Sequence, residues 1–102
     1  MGLLAKSVRF EGMEQTNAGQ PSRWEGRVSL LSISEKLTVE YGRQAGALTV
    51  TVGDDEETVH LETRSPFDAQ WEEITPAVQA IAAVSLLAEL SDVDFVDPDD
   101  LP

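Results

Sequence analysis

Apolar and polar side chains alternate between residues 36 and 63, and this period of two constrains the fold more than any other feature of the sequence. The alternation occupies three segments, 36–41, 47–52 and 57–63, in which threonine, glutamate and histidine separate the apolar positions. A strand with this pattern buries only one of its faces. The sequence therefore predicts an antiparallel sheet that is covered on one side, by the residues Leu37, Val39, Tyr41, Leu48, Val50, Val52, Val59 and Leu61.

The links between these segments are short and rich in residues that tolerate a positive φ. Gly42 and Gly46 bracket the first link, and Gly53 with Asp54 and Asp55 forms the second. Such links are typical of tight hairpins. We therefore expect consecutive strands to pair as a meander.

Two further strands are predicted before residue 36. Residues 6–11 alternate through Val8 and Phe10, and residues 27–34 alternate with a phase slip that predicts a bulge or bend near Leu30. The segment 12–22 contains glycine, asparagine, glutamine and proline. This composition predicts a mobile polar loop between the two strands.

After residue 64 the pattern becomes helical. Ser65–Pro66 and Thr75–Pro76 each place a capping hydroxyl before a proline, which predicts helices over 66–73 and 76–90, with Phe67 and Trp71 one turn apart. The predicted fold class is α+β: an antiparallel meander of four to five strands, with one face covered by a C-terminal helix and a short helix before it. Residues 1–90 form the predicted domain, and the acidic segment 91–102 is predicted to be a flexible tail.

Composition narrows the possible chemistry. The 102 residues contain no cysteine, which excludes disulfides, thiolate nucleophiles and metal sites built on sulfur. The first residues lack the pattern of a secretory signal, and no apolar stretch reaches the roughly 18 residues of a spanning helix. We therefore expect a soluble cytoplasmic protein that does not enter a membrane and carries no cofactor.

The segment 76–90 is the most informative for function. Its only polar side chains are Gln79, Ser85 and Glu89, so apolar residues cover most of its circumference. A helix that packs on one sheet needs only one apolar stripe. The sequence therefore predicts a second buried face, in a homodimer or against a partner protein, with the interface residues Val78, Ile81, Val84, Leu86, Leu87 and Leu90. The alternative is a monomer whose five alanines form an exposed face.

Acidic side chains support a competing hypothesis. The net charge is −12, and residues 51–102 hold fourteen carboxylates against Arg64 alone. An acidic surface of this kind suits an inhibitor, an immunity-type protein or a nucleic-acid mimic that blocks a basic partner, and it disfavours direct contact with nucleic acid. The candidate residues are Asp54, Asp55, Glu56, Glu57, Asp97, Asp99 and Asp100. The tail acids do not match the spacing of a calcium-binding loop, so no metal site is predicted.

His60 is the only candidate for a base that titrates near neutral pH. The alternation places it on the polar face of its strand, beside Thr58 and Glu62. The sequence contains no nucleophile elbow, phosphate-binding loop or dinucleotide-binding glycine pattern. We therefore expect no catalytic residues and a non-enzymatic role.

Overall fold

The computed structural model describes residues 7–62 and 65–93, with side chains described as far as Glu89. Over these residues the chain forms five strands and one helix. They are β1 (Arg9–Asn17), β2 (Ser22–Leu30), β3 (Ile33–Tyr41), β4 (Ala47–Val52), β5 (Asp55–His60) and α1 (Trp71–Val93).

The five strands form one antiparallel sheet in the order β1-β2-β3-β4-β5. The alternating residues pair across neighbouring strands, as in Val39 opposite Val50 and Leu48 opposite Val59. These pairs place the apolar side chains on the same face, over which α1 lies. The predicted fold class, a meander sheet covered on one face by a C-terminal helix, is confirmed.

The core lies between α1 and the three central strands, β2, β3 and β4. Trp24 is buried there, and the half-buried Trp71 packs against it, with ring centroids 5.8 Å apart. Trp71 also makes an edge-to-face contact with Phe10 at 5.4 Å, whereas Phe67 is exposed. The largest side chains without solvent exposure are Tyr41, Leu37, Leu48, Ile74 and Leu86.

The phase slip near Leu30 marks a turn between two strands, and not the predicted bulge or bend within one strand. β2 ends at Leu30 and β3 begins at Ile33, so Leu31 and Ser32 form the two-residue loop of a β-hairpin. Leu31 has a φ of 55°, and its side chain is 74% exposed. A leucine is unusual at such a position, where glycine or asparagine is typical. The turn was therefore hidden within an apparently continuous strand.

The predicted loop over 12–22 is mostly strand. β1 continues to Asn17 through a bulge at Gly12, where φ is 63°, and β2 begins at Ser22. Side chains at both ends hold the short connection: Asn17 Nδ2 donates to the Pro21 carbonyl at 2.6 Å, and Ser22 Oγ donates to the Gly19 carbonyl at 3.0 Å. Polar residues in this segment therefore belong to an exposed edge strand.

The two proline signals do not start two helices. Ser65 and Pro66 open a turn that the Asp68 N–H closes on the Ser65 carbonyl at 3.1 Å, and Pro is common at the second position of such turns. The helix begins instead at Trp71, where Glu73 Oε1 accepts from the Gln70 N–H at 3.3 Å as in a capping box. Pro76 consequently lies inside α1. α1 continues past Leu90 to Val93, and the rest of the predicted tail, 94–102, lies outside the described residues.

Candidate functional site

The outward face of α1 carries only apolar side chains over three turns. Between Pro76 and Ala88 every exposed position is apolar, with Val84 57% and Leu87 37% exposed. The charged residues of α1 lie outside this stretch, at Glu72, Glu73, Glu89 and Asp92. We call the exposed residues the outward stripe; they are Pro76, Ala80, Val84, Leu87 and Ala88.

The six predicted interface residues divide between the two sides of α1. Val78 and Leu86 have no solvent exposure and pack in the core, so they are not available to a partner in this structure. Ile81 is half-buried, and Val84 and Leu87 are exposed. The side chain of Leu90 lies beyond the last described side chain. The candidate interface therefore narrows to the outward stripe with Ile81 at its border.

A groove of about 570 Å³ runs between α1 and β5. It exists because α1 packs on β2, β3 and β4 and leaves the helix-facing side of β5 uncovered. Five strands spaced about 4.8 Å apart are about 19 Å across, whereas one helix with its side chains is about 10 Å wide. The residues that line the groove are Asp55, Glu56, Glu57, Ala80, Ile81, Val84, Ser85 and Ala88.

Acidic residues form the β5 wall of this groove. Asp55 and Glu57 pair with Val52 and Val50 of β4, so they lie on the face that is apolar elsewhere in the sheet. One hydrogen bond links this wall to the helix, from Ser85 Oγ to Asp55 Oδ2 at 3.1 Å. Charged residues that point inward from an edge strand oppose pairing between identical sheets.

Of the predicted acidic residues, the structure brings Asp55, Glu56 and Glu57 to the groove and places Asp54 in the preceding turn. Asp97, Asp99 and Asp100 lie outside the described residues. Sequence reasoning did not identify Ser85 or Glu89 as part of this region. The one available signal was that both are polar in an otherwise apolar helix.

A cluster of carboxylates lies at one end of α1, where Glu89 faces Glu35 of β3. Glu89 Oε2 is shielded from solvent and has no hydrogen-bond partner among the described residues. Burial, followed by the charges of Glu35, Asp55 and Asp54, raises the pKa of Glu89 above its ordinary value of 4.5. The charged form of Glu89 therefore destabilises the fold at neutral pH.

Glu89→Gln is expected to raise the free energy of unfolding at pH 7, since an amide has no charge to bury and donates hydrogen bonds to carboxylates. Solvent screens the neighbouring charges, so we expect a gain of about 0.5–1 kcal/mol. A raised folded-state pKa means that native Glu89 binds its proton more tightly than the unfolded chain does, so its unfavourable effect disappears as the pH falls. The gain should therefore shrink near pH 4.5. Urea denaturation at both pH values measures it.

Glu72→Gln is the matched control, because it removes one exposed carboxylate from the same helix. We expect it to change stability by less than about 0.5 kcal/mol at pH 7. A loss of stability in Glu89→Gln at pH 7, or a gain that is equal at both pH values, would contradict the assigned role of the carboxylate cluster.

The cations of the sheet lie away from the groove. On the outer face Glu40 accepts from Arg23 at 3.1 Å and from Arg43 at 3.0 Å. Burial alone acts to raise the pKa of Glu40, but the hydrogen bonds from Arg23 and Arg43 outweigh it and hold the pKa below its ordinary value. Lys36 is 3.9 Å from Glu25. Among the described residues, no lysine or arginine lines the groove, so the potential there is negative.

His60 is exposed, and its partner in the β4–β5 ladder is Ala47. It lies on the outer face with Thr58, whose hydroxyl hydrogen-bonds that of Thr49 at 2.9 Å. Over residues 7–62 and 65–93, no three His, Asp or Glu side chains are arranged to hold a metal ion. The described residues contain no helix, α1 included, that is both long enough and apolar enough to cross a bilayer.

Comparisons with protein-family models, with curated proteins and with solved structures find no match to this chain.

Proposed function

We propose that the protein is a non-enzymatic protein–protein interaction module that binds through the outward stripe of α1, and that its simplest partner is a second copy of the chain. One observation carries the proposal: every exposed position of α1 from Pro76 to Ala88 is apolar. The buried side of α1, which includes Ile74, Val78 and Leu86, already packs against the sheet and completes the core. A contiguous apolar surface in addition to a complete core is typical of an interface.

The spacing of the outward stripe suits a symmetric pair of helices. Ala80, Val84 and Ala88 follow one another at intervals of four residues. A two-fold axis through Val84 would place Ala80 opposite the partner's Ala88, and the same patch would serve both copies. Small residues at these positions let two helix axes approach to about 8 Å.

Electrostatics predict how this association depends on salt. Each chain carries a net charge of −12, so two copies repel each other at long range. Salt screens that repulsion and strengthens apolar burial. The homodimer should therefore become more stable as the salt concentration rises. By contrast, capture of a basic partner by the acidic groove should weaken.

Cysteine cross-linking tests the proposal, because the chain has no cysteine of its own. In Val84→Cys the two thiols would meet near the symmetry axis, within the 4.4–6.8 Å Cα separation that a disulfide requires. We expect mild oxidation to convert most chains to covalent dimers, as measured by non-reducing electrophoresis.

Leu31→Cys is the control, because Leu31 is more exposed than Val84 and lies in the β2–β3 turn. Its cross-linking should be at least tenfold slower, since only random collisions bring two such thiols together. Equal rates for the two variants would count against an interface at α1. The non-enzymatic role, the absence of direct nucleic-acid binding and the cytoplasmic location stay predictions from the sequence.

A further inference from the structure

The open edge of β5 offers hydrogen-bonding groups that the sheet does not use. The Leu61 N–H donates to the Gly46 carbonyl at 2.8 Å, and hydrogen-bonded pairs recur at every second position of an antiparallel ladder. By this alternation Asp55, Glu57 and Val59 bond to β4. The backbone groups of Glu56, Thr58 and His60 therefore point away from the sheet, and no described strand pairs with them.

The groove beside this edge combines two kinds of surface. Ile81, Val84 and Ala88 provide an apolar side on α1, and Asp55 and Glu57 provide an acidic side on β5. An acidic wall repels a second copy of this acidic chain at this edge. The complementary ligand is cationic, with aliphatic side chains for the helix side and backbone groups for the open strand.

We propose that the groove between α1 and β5 binds an extended cationic segment of another protein, which adds to β5 as a sixth strand. Its aliphatic side chains pack on Ile81 and Val84, and its lysine or arginine side chains pair with Glu57 and Glu56. This is β-strand addition, in which backbone hydrogen bonds supply affinity and side-chain contacts supply specificity. Val84 and Ala88 also belong to the outward stripe, so the bound segment and a second copy of the chain would compete for that part of α1, whereas the open edge of β5 is used by the bound segment alone.

Fluorescence anisotropy with labelled ten-residue peptides tests the proposal on the full chain. The probe repeats lysine–serine–valine–serine, so that lysine and valine share the face that meets Glu57 and α1, and we call it the lysine–valine peptide. The control, the lysine–serine peptide, has serine in place of each valine and the same charge. At low salt we expect the lysine–valine peptide to bind at least tenfold more tightly. Equal affinity of the two peptides, or no binding by either, would overturn the proposal.

Charge-reversal variants of the chain distinguish binding of the peptide in the groove from its non-specific attraction to an acidic protein. Glu57→Lys should weaken binding of the lysine–valine peptide at least tenfold. Glu14→Lys makes the same change in net charge on exposed β1, at the opposite edge of the sheet, and should alter the affinity less than threefold. Equal losses of affinity in both variants would show that net charge alone attracts the peptide, and would overturn the proposal that the groove is its binding site.

Thr58→Pro tests strand addition. It removes an N–H that points to the open edge and takes no part in the β4–β5 ladder, which is where edge strands accept proline. We expect at least a tenfold loss of peptide affinity with no change in charge, and unaltered affinity would overturn strand addition. If this variant does not fold, a lysine–valine peptide N-methylated at every residue replaces it, with the same two outcomes. If the chain is monomeric and still binds the peptide, the homodimer proposal is wrong and the proposal of strand addition stands.

Discussion

Leu87→Glu is expected to convert a homodimer of this protein to a monomer. Leu87 lies on the outward stripe and is only partly exposed in the single chain. In a symmetric dimer the substitution would bury one carboxylate from each copy near the other, and the described residues of the outward stripe include no cation to pair with them. Removal of a charge from water without a partner costs several kcal/mol, which exceeds what a small helix interface can supply. Sedimentation equilibrium measures the result as a halved mass.

Leu31→Glu is the matched control, because it makes the same exchange at a more exposed leucine in the β2–β3 turn. It changes the net charge equally, and we expect the mass to stay that of the dimer. The circular dichroism of both variants should match that of the unmodified chain, since neither side chain belongs to the core. A dimer that survives Leu87→Glu would exclude the outward stripe as the contact.

Leu86→Ala is expected to lower the free energy of unfolding by about 2–5 kcal/mol, the range observed when a buried leucine is truncated. Leu86 has no solvent exposure and packs between α1 and the sheet. The loss is a large share of the roughly 5–15 kcal/mol that holds a small domain together. Urea denaturation at a single protein concentration measures it.

The neighbouring Leu87→Ala provides the comparison, measured below the concentration at which two chains associate. There Leu87 contacts no partner, and we expect a loss of less than about 1 kcal/mol. Similar losses in the two variants would mean that α1 is rotated about its axis from the orientation described here.

Where burial and periodicity agree, the sequence was sufficient to predict the fold. β3 and β4 alternate cleanly because one face meets α1 and the other meets solvent. Their glycine-rich links admit the positive φ of Gly42, Gly46 and Gly53. The meander and the covering helix follow from these local patterns.

Where a local signal has two physical origins, prediction was wrong. A break in alternation marks a bulge or a tight turn, and at Leu31 it marks a turn. A hydroxyl followed by proline starts a helix or a β-turn, and at Ser65 it starts a β-turn. Long-range packing decides between such origins, and a single sequence does not record that packing.

The candidate site was predicted only in part for a related reason. A helix that is apolar on all sides gives no indication of which side meets the sheet, so Val78 and Leu86 could not be separated from Val84 and Leu87. The groove also depends on which strands the helix covers. The hydrogen bond between Ser85 and Asp55 joins residues thirty positions apart. No motif around either residue indicates that the two are in contact.

Sedimentation equilibrium of the unmodified chain over a range of concentrations tests the central claim, that the outward stripe of α1 is covered by a second copy. The account predicts a mass of twice 11.1 kDa at micromolar concentration. The fraction of chains in the dimer should stay the same or rise as salt is added. A mass of 11.1 kDa at every concentration and in high salt would contradict it.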